Sequence, residues 1–142
     1  VALLSNSSTC TSRKVIEACE CIDLPIMKLD AGNAKLFGRI NRPVADISFI
    51  DIVDGLSRMK NITIQSLLLT GDPDNSTTDA INDWYSCLQN IKPVEVQIYT
   101  LDRPFAREDE NGRVEIGKVG NERMEEIVKT GRLQYGLNIH RY

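Results

Sequence analysis

The sequence predicts an α/β protein built on a mostly parallel sheet. Three observations lead there. Short runs rich in apolar and β-branched residues alternate with longer segments whose apolar residues recur at helical spacing. Each run stops at a cluster of polar or turn-forming residues: SNSST, KLDAG, TGDPDN and LDRP. The stretches between runs are long enough to hold a helix, so successive strands are expected to lie parallel, joined by right-handed crossovers.

The elements follow in order. Val1 to Leu4 reads as a buried strand running into the polar loop Ser5 to Thr9. Thr11 or Ser12 can cap a helix to about Cys21, with Val15, Ile16 and Cys19 inward. Leu24 to Leu29 is the second strand, and Asp30-Ala31-Gly32 ends it. A helix follows over Ala34, Leu36, Phe37 and Ile40 and stops before Arg42-Pro43. Ser48 with Asp51 makes a capping-box-like start for a helix carrying Ile52, Val53, Leu56 and Met59. Ile62 to Leu69 is the third strand, rich in β-branched and apolar residues. Ser76 with Asp79 opens an amphipathic helix through Ile81, Trp84, Tyr85, Leu88 and Ile91, with Trp84 in the core. Val94 to Leu101 is the fourth strand. Arg107 to Gly120 reads as a charged loop with a short hairpin around Asn111-Gly112, Asn121 to Lys129 as a helix, and Leu137 to Tyr142 as a terminal strand.

Bulk properties narrow the function. A chain of 142 residues suffices for one domain with its own core. A net charge of −3 gives no reason to expect general nucleic-acid binding or attraction to an anionic membrane. No apolar run approaches the ~20 residues of a membrane span. No basic stretch precedes an apolar one as in a secretory leader, so a cytoplasmic location is expected. Cys10, Cys19, Cys21 and Cys87 form no CxxC pair, and His140 is the one histidine, so zinc is not expected. The cysteines read as reduced, core or semi-buried residues. The chain opens on an apolar run without an initiator Met, which reads as a piece of a longer protein.

The strand ends, taken together with LDAG followed by F-x-x-I-N-R-P, resemble the radical S-adenosylmethionine enzymes. The likeness covers roughly residues 1–104 and fits the later strands, three to six, of their partial (β/α)6 barrel. It implies a partial-barrel fragment of about four strands, with residues 105–142 as a C-terminal appendage. It also implies cofactor contacts at particular positions. Asn6 and Ser7 match the polar turn near the ribose; Lys28 and Asp30 match the polar pair after the fourth strand. Gln97, Tyr99 and Thr100 are candidates for the adenine side, their facing undecided, and Arg42 and Arg103 for substrate contact. S-adenosylmethionine and a [4Fe-4S] cluster would belong to the parent protein, with neither expected on this piece. The family's CxxxCxxC cluster motif is missing, as is its glycine-rich motif for the cofactor's amino group. The resemblance therefore implies a piece that cannot cleave the cofactor by itself.

Each position has a plainer reading. Lys28 and Asp30 can form a salt bridge at a strand end, and Asn6 and Ser7 an ordinary turn. Arg42 can serve the C-terminal dipole of the helix before it, and Arg103 can be a surface residue. Asp72, Asp74 and Asn75 lack the Gly and Glu of a calcium loop and read as a turn with a helix cap; His140 receives no role. The rival to an enzyme part is a non-catalytic α/β module binding a small ligand or a partner. The substrate is not readable. A sheet left with an unpaired edge near Val1 to Leu4 is expected to self-associate.

Overall fold

The computed structural model describes residues 1–142 apart from Ala45, Pro104, Glu110 and Asn111, and describes 105–109 and 112–114 through their backbone alone. Twelve elements run in the order β1 (Ala2–Ser5), α1 (Arg13–Cys19), β2 (Leu24–Lys28), α2 (Ala34–Asn41), α3 (Phe49–Arg58), β3 (Thr63–Gly71), α4 (Thr78–Ile91), β4 (Glu95–Thr100), β5 (Phe105–Asp109), β6 (Gly112–Lys118), α5 (Asn121–Tyr135) and β7 (Ile139–Arg141). The α/β class and the mostly parallel sheet are as expected. Five strands lie parallel in the order β1-β2-β3-β4-β7. Every crossover steps in the same direction, so right-handed connections carry the helices to one face.

Burial follows that arrangement. Pro25, Met27 and Leu29 on β2 and its end, Ile64, Ser66 and Leu68 on β3, and Val96 and Ile98 on β4 point under the helices and are buried. Their alternates, Ile26, Lys28, Gln65, Leu67, Gln97 and Tyr99, are half-buried on the other face. Lys28, Gln65, Gln97 and His140 stand level with one another across four strands. That face is the open side of the sheet.

β1 departs from expectation. It is an edge strand, not a buried one: Val1 is 83% and Leu4 63% exposed, and Leu3 and Leu24 are also exposed. Its pairing partner β2 covers only one edge. Residues 105–109 and 112–118 form β5 and β6, an antiparallel pair where a hairpin is expected; the departure is its length and the antiparallel pairing of β6 with the overhanging end of β3. The expected hairpin turn at Asn111-Gly112 lies partly outside the described residues. The helix after Ser76 is capped by Thr77, whose hydroxyl accepts from Ala80 N at 3.3 Å. Ser76 instead donates to Asp74 at 2.8 Å.

One apolar core joins all the helices. Cys10, Leu56, Ile64, Trp84 and Leu88 share it with Met124, Ile127 and Ile139 from the last helix and strand. α5 runs six residues beyond the expected Lys129 and ends at Gly136, whose φ of 64° suits a left-handed helix end.

Candidate functional site

The ladder between β2 and β3 ends at the Lys28–Gln65 pair. Beyond it the two strands part, and side chains replace the backbone bonds. Asp30 Oδ1 accepts from Leu67 N at 2.8 Å. Asn75 reaches back from the TGDPDN turn, donating to Asp30 O (2.6 Å) and Leu67 O (2.8 Å) while accepting from Leu69 N (2.7 Å). Under the helices, Ser66 Oγ and Trp84 Nε1 donate to Leu29 O at 2.5 and 3.3 Å. A buried carbonyl or amide left without a partner is costly, and these residues leave the parted strand ends satisfied.

The gap holds a charged pair. Lys28 Nζ lies 2.9 Å from Asp30 Oδ1 and donates to the Tyr99 hydroxyl at 2.7 Å, with the ammonium 4.6 Å from the Tyr99 ring centre. Asp30 is 8% exposed, and its Oδ2 accepts from Asn41 Nδ2 at 3.1 Å. The carboxylate thus ties β2, β3 and the last residue of α2 to one point. Burying a carboxylate is costly unless donors such as these surround it.

Arg42 follows directly and adopts the left-handed conformation, φ 44° and ψ 59°, that closes α2. With Asn6, Ser8 and Asn41 it edges a cleft of about 300 Å³ whose remaining wall includes Phe37, Ile47 and Ile52. Asn6 and Arg42, expected from sequence to serve ribose and substrate, therefore share one cleft. Asn6 Oδ1 accepts from Ser8 N at 3.0 Å, leaving its amide nitrogen without a partner among the described residues.

The other expected positions are used differently. Ser7 is fully buried, and its hydroxyl donates to Lys28 O at 2.8 Å. Thr100 points under the helices, where Oγ1 donates to Leu68 O (2.8 Å) and accepts from Val119 N (2.9 Å). Gln97 and Tyr99 lie on the open face with Lys28; Gln97 accepts from Gln65 Nε2 and donates to Glu95, each at 3.2 Å. Arg103 is exposed past the end of β4. Lys28, Asp30 and Tyr99 are thus joined directly, Gln97 lies on the same face two strands from Lys28, and Asn6 and Arg42 line a cleft shared with Asn41, which bonds Asp30. Sequence alone gives Gln65 and Asn41 no role of their own and reads Asn75 as part of a turn. Alternation along β3 carried a signal for Gln65, the polar residue level with Lys28. Nothing local marks Asn75 as more than a turn residue.

Gly32 of LDAG has a packing role. A Cβ there would lie 2.1 Å from Trp84 N and 2.4 Å from Asp83 C, so only glycine lets α4 approach the end of β2.

The cysteines do not fit an iron–sulfur cluster. Cys10 and Cys19 are buried in the core, and no group of three His, Cys, Asp or Glu residues gathers among the described residues. Burial pushes the Cys10 and Cys87 thiols up to about 11, so both are protonated at neutral pH and are poor ligands. No helix among the described residues is long and apolar enough to cross a membrane.

Comparison with known proteins gives similarities of two kinds. No protein-family profile matches the chain. In sequence it is 30% identical over 107 residues to the UPF0026 protein slr1464 of Synechocystis sp. (strain ATCC 27184 / PCC 6803 / Kazusa), covering 72% of this chain and 39% of that protein. It is 27% identical over 113 residues to the GTPase Obg of Brachyspira hyodysenteriae (strain ATCC 49526 / WA1), covering 76% of this chain and 16% of that one. The chain thus spans well under half the length of these relatives. In structure it is similar to a domain of pyruvate-formate lyase-activating enzyme from Bacteroides vulgatus ATCC 8482, with a TM-score of 0.71, 10% identity, and coverage of 100% of this chain and 81% of that one. It is also similar to a radical SAM methyltransferase from Sphaerobacter thermophilus, with a TM-score of 0.63, 15% identity, and coverage of 97% and 39%. The chain therefore shares the α/β fold of these two structures along essentially its whole length.

Proposed function

We propose that this chain is the later part of a radical S-adenosylmethionine enzyme, one that holds the cofactor's nucleoside and the substrate but not the cluster. The observation that carries the reading is the end-to-end fold likeness to two radical SAM structures. Its support within the molecule is the gathering of polar side chains at the carboxyl ends of parallel strands, where α/β proteins bind ligands. When bound, S-adenosylmethionine supplies the radical chemistry, and the protein's share is to bind, orient and exclude water.

In this reading the Asn6 amide donates to a ribose hydroxyl, and the Lys28–Asp30 pair offers a donor and an acceptor beside it. Gln97 and Tyr99 edge the adenine side from the open face. Ser7 and Thr100 act through the backbone: Ser7 holds the carbonyl of Lys28, and Thr100 holds that of Leu68. Arg42 and Arg103 are the cations left for substrate. The cluster-binding thiolates belong to another part of the protein, and no step is assigned to this chain through the cluster.

The similarity to a GTPase does not bring a phosphate-binding loop. The segment Gly112 to Val119, GRVEIGKV, has the GxxxxGK spacing but places Val where the magnesium-binding Ser or Thr is needed. It also lies along strand β6 rather than in a loop between strand and helix.

The test is anaerobic reconstitution of the whole protein with iron and sulfide. Visible cluster absorbance and reductive release of 5′-deoxyadenosine are expected, the latter weakened by Asn6→Ala and Lys28→Met. A colourless protein would sink the enzyme reading and leave a non-catalytic α/β binding module.

A further inference from the structure

The cleft beside α2 carries more information than the enzyme class does. Its volume of about 300 Å³ stands at the small end of the range for ligand sites. Its wall divides by chemistry. Phe37, Ile47 and Ile52 make an apolar floor, and Asn6 and Arg42 stand at its polar edge. Phe37 is braced against Phe49, ring centres 5.7 Å apart, so the floor is held by its own packing. Arg42 is the one cation among the cleft's lining residues, and no ion pair found among the described residues engages it. Its backbone is left-handed, at a helix end where glycine or asparagine is the low-strain choice. A guanidinium without an ion-pair partner among the described residues, beside an apolar floor, points to an anion with a hydrocarbon or aromatic body.

We propose that this cleft binds an organic acid of that kind, its acid group on the Arg42 guanidinium and its apolar body on Phe37, Ile47 and Ile52. A guanidinium suits carboxylate and phosphate alike, because its parallel N–H groups match two oxygens of either. As the class of substrate for the enzyme proposed above, the assignment rests on that reading; as a binding site it does not.

The test is a titration of this chain followed residue by residue in amide NMR spectra. The probes are 3-phenylpropionate, phenyl phosphate, 3-phenylpropanol and acetate. The first two separate a carboxylate from a phosphate ligand. The alcohol lacks the charge, and acetate lacks the body. At least one of the two aromatic acids is expected to bind about tenfold or more tighter than both the alcohol and acetate, with shifts at Asn6, Phe37 and Ile52. Arg42→Gln should reduce that acid to the level of the alcohol, and Arg42→Lys should keep part of the difference. Equal affinity for acid and alcohol overturns the proposal, as do shifts that map elsewhere or acid binding that survives Arg42→Gln. The same spectra report whether each variant is folded. Cluster reconstitution of the whole protein decides the enzyme reading separately, so either can fail alone.

Discussion

Asn75 and Asp30 do at their position what a backbone ladder does elsewhere in the sheet. Asp30 takes the amide of Leu67, and Asn75 takes Leu69 N while supplying hydrogens to Asp30 O and Leu67 O. Asn75 is 3% exposed, so water cannot replace it. Asn75→Ala therefore strands three backbone groups and should cost about 2–4 kcal/mol, read as a lowered urea midpoint with an unchanged slope. An unchanged midpoint would mean that the turn, not the side chain, holds the strand ends together. The residues DPDN read as a turn, and nothing in them shows the amide reaching back across eight residues to Leu67. Lys28 and Asp30 fall on one face by alternation along a strand, which is a local rule. Whether that pair meets a ligand or only each other depends on Tyr99, Asn41 and Leu67, which come from three other elements.

Among the elements, β1 shows how far apolar content can mislead. ALL reads as a buried strand, yet the strand stands at an edge with its apolar side chains exposed. Composition says that a segment can be buried; it does not say that anything lies on top of it. No Lys, Pro or bulge interrupts Val1 to Ser5, so the edge is blunted only by its shortness. We propose that two copies of this chain pair antiparallel through β1, an arrangement that satisfies both open edges at once. Light scattering should show weight-average mass rising with concentration, and Leu4→Lys should return the chain to monomer. A mass that stays monomeric at every concentration, or a dimer indifferent to Leu4→Lys, would refute it. The segment before α5 errs in the opposite sense. Its charges suggest a loop with only a short hairpin, but β3 overhangs its parallel neighbours and supplies a ladder for β6. Strand formation there follows from a partner distant in sequence, a dependence that propensity does not capture.

Across the whole molecule, burial of titratable groups sets a pH limit. Burial raises the Cys10 and Cys87 thiols from 9.0 to about 11 and the Tyr85 hydroxyl from 10.0 to about 12. In the unfolded chain these groups lose protons near their ordinary values, while the folded chain keeps them. The unfolded state then binds fewer protons, so stability falls as pH rises. The contribution is fully present below about 9 and is lost progressively toward about 12. Urea midpoints should be level near pH 8 and decline steadily above pH 9. A midpoint that holds to about pH 11 would show that these groups ionise freely in the folded state.

The sequence by itself determined the alternation of strands and helices, the parallel class of sheet and the polar character of the strand ends, because each depends on residues close together in the chain. It also marked LDAG as special, which the bonds of Asp30 across the strand ends and the approach of α4 to Gly32 explain. Tertiary structure alone decided which apolar strand is covered, which hydroxyls are spent on carbonyls, and that Asn6 and Arg42 edge one cleft. It also decided that residues 121–141 complete the same core. Those outcomes turn on which surfaces meet, and contact between elements far apart in the chain leaves no periodic trace in the order of the residues.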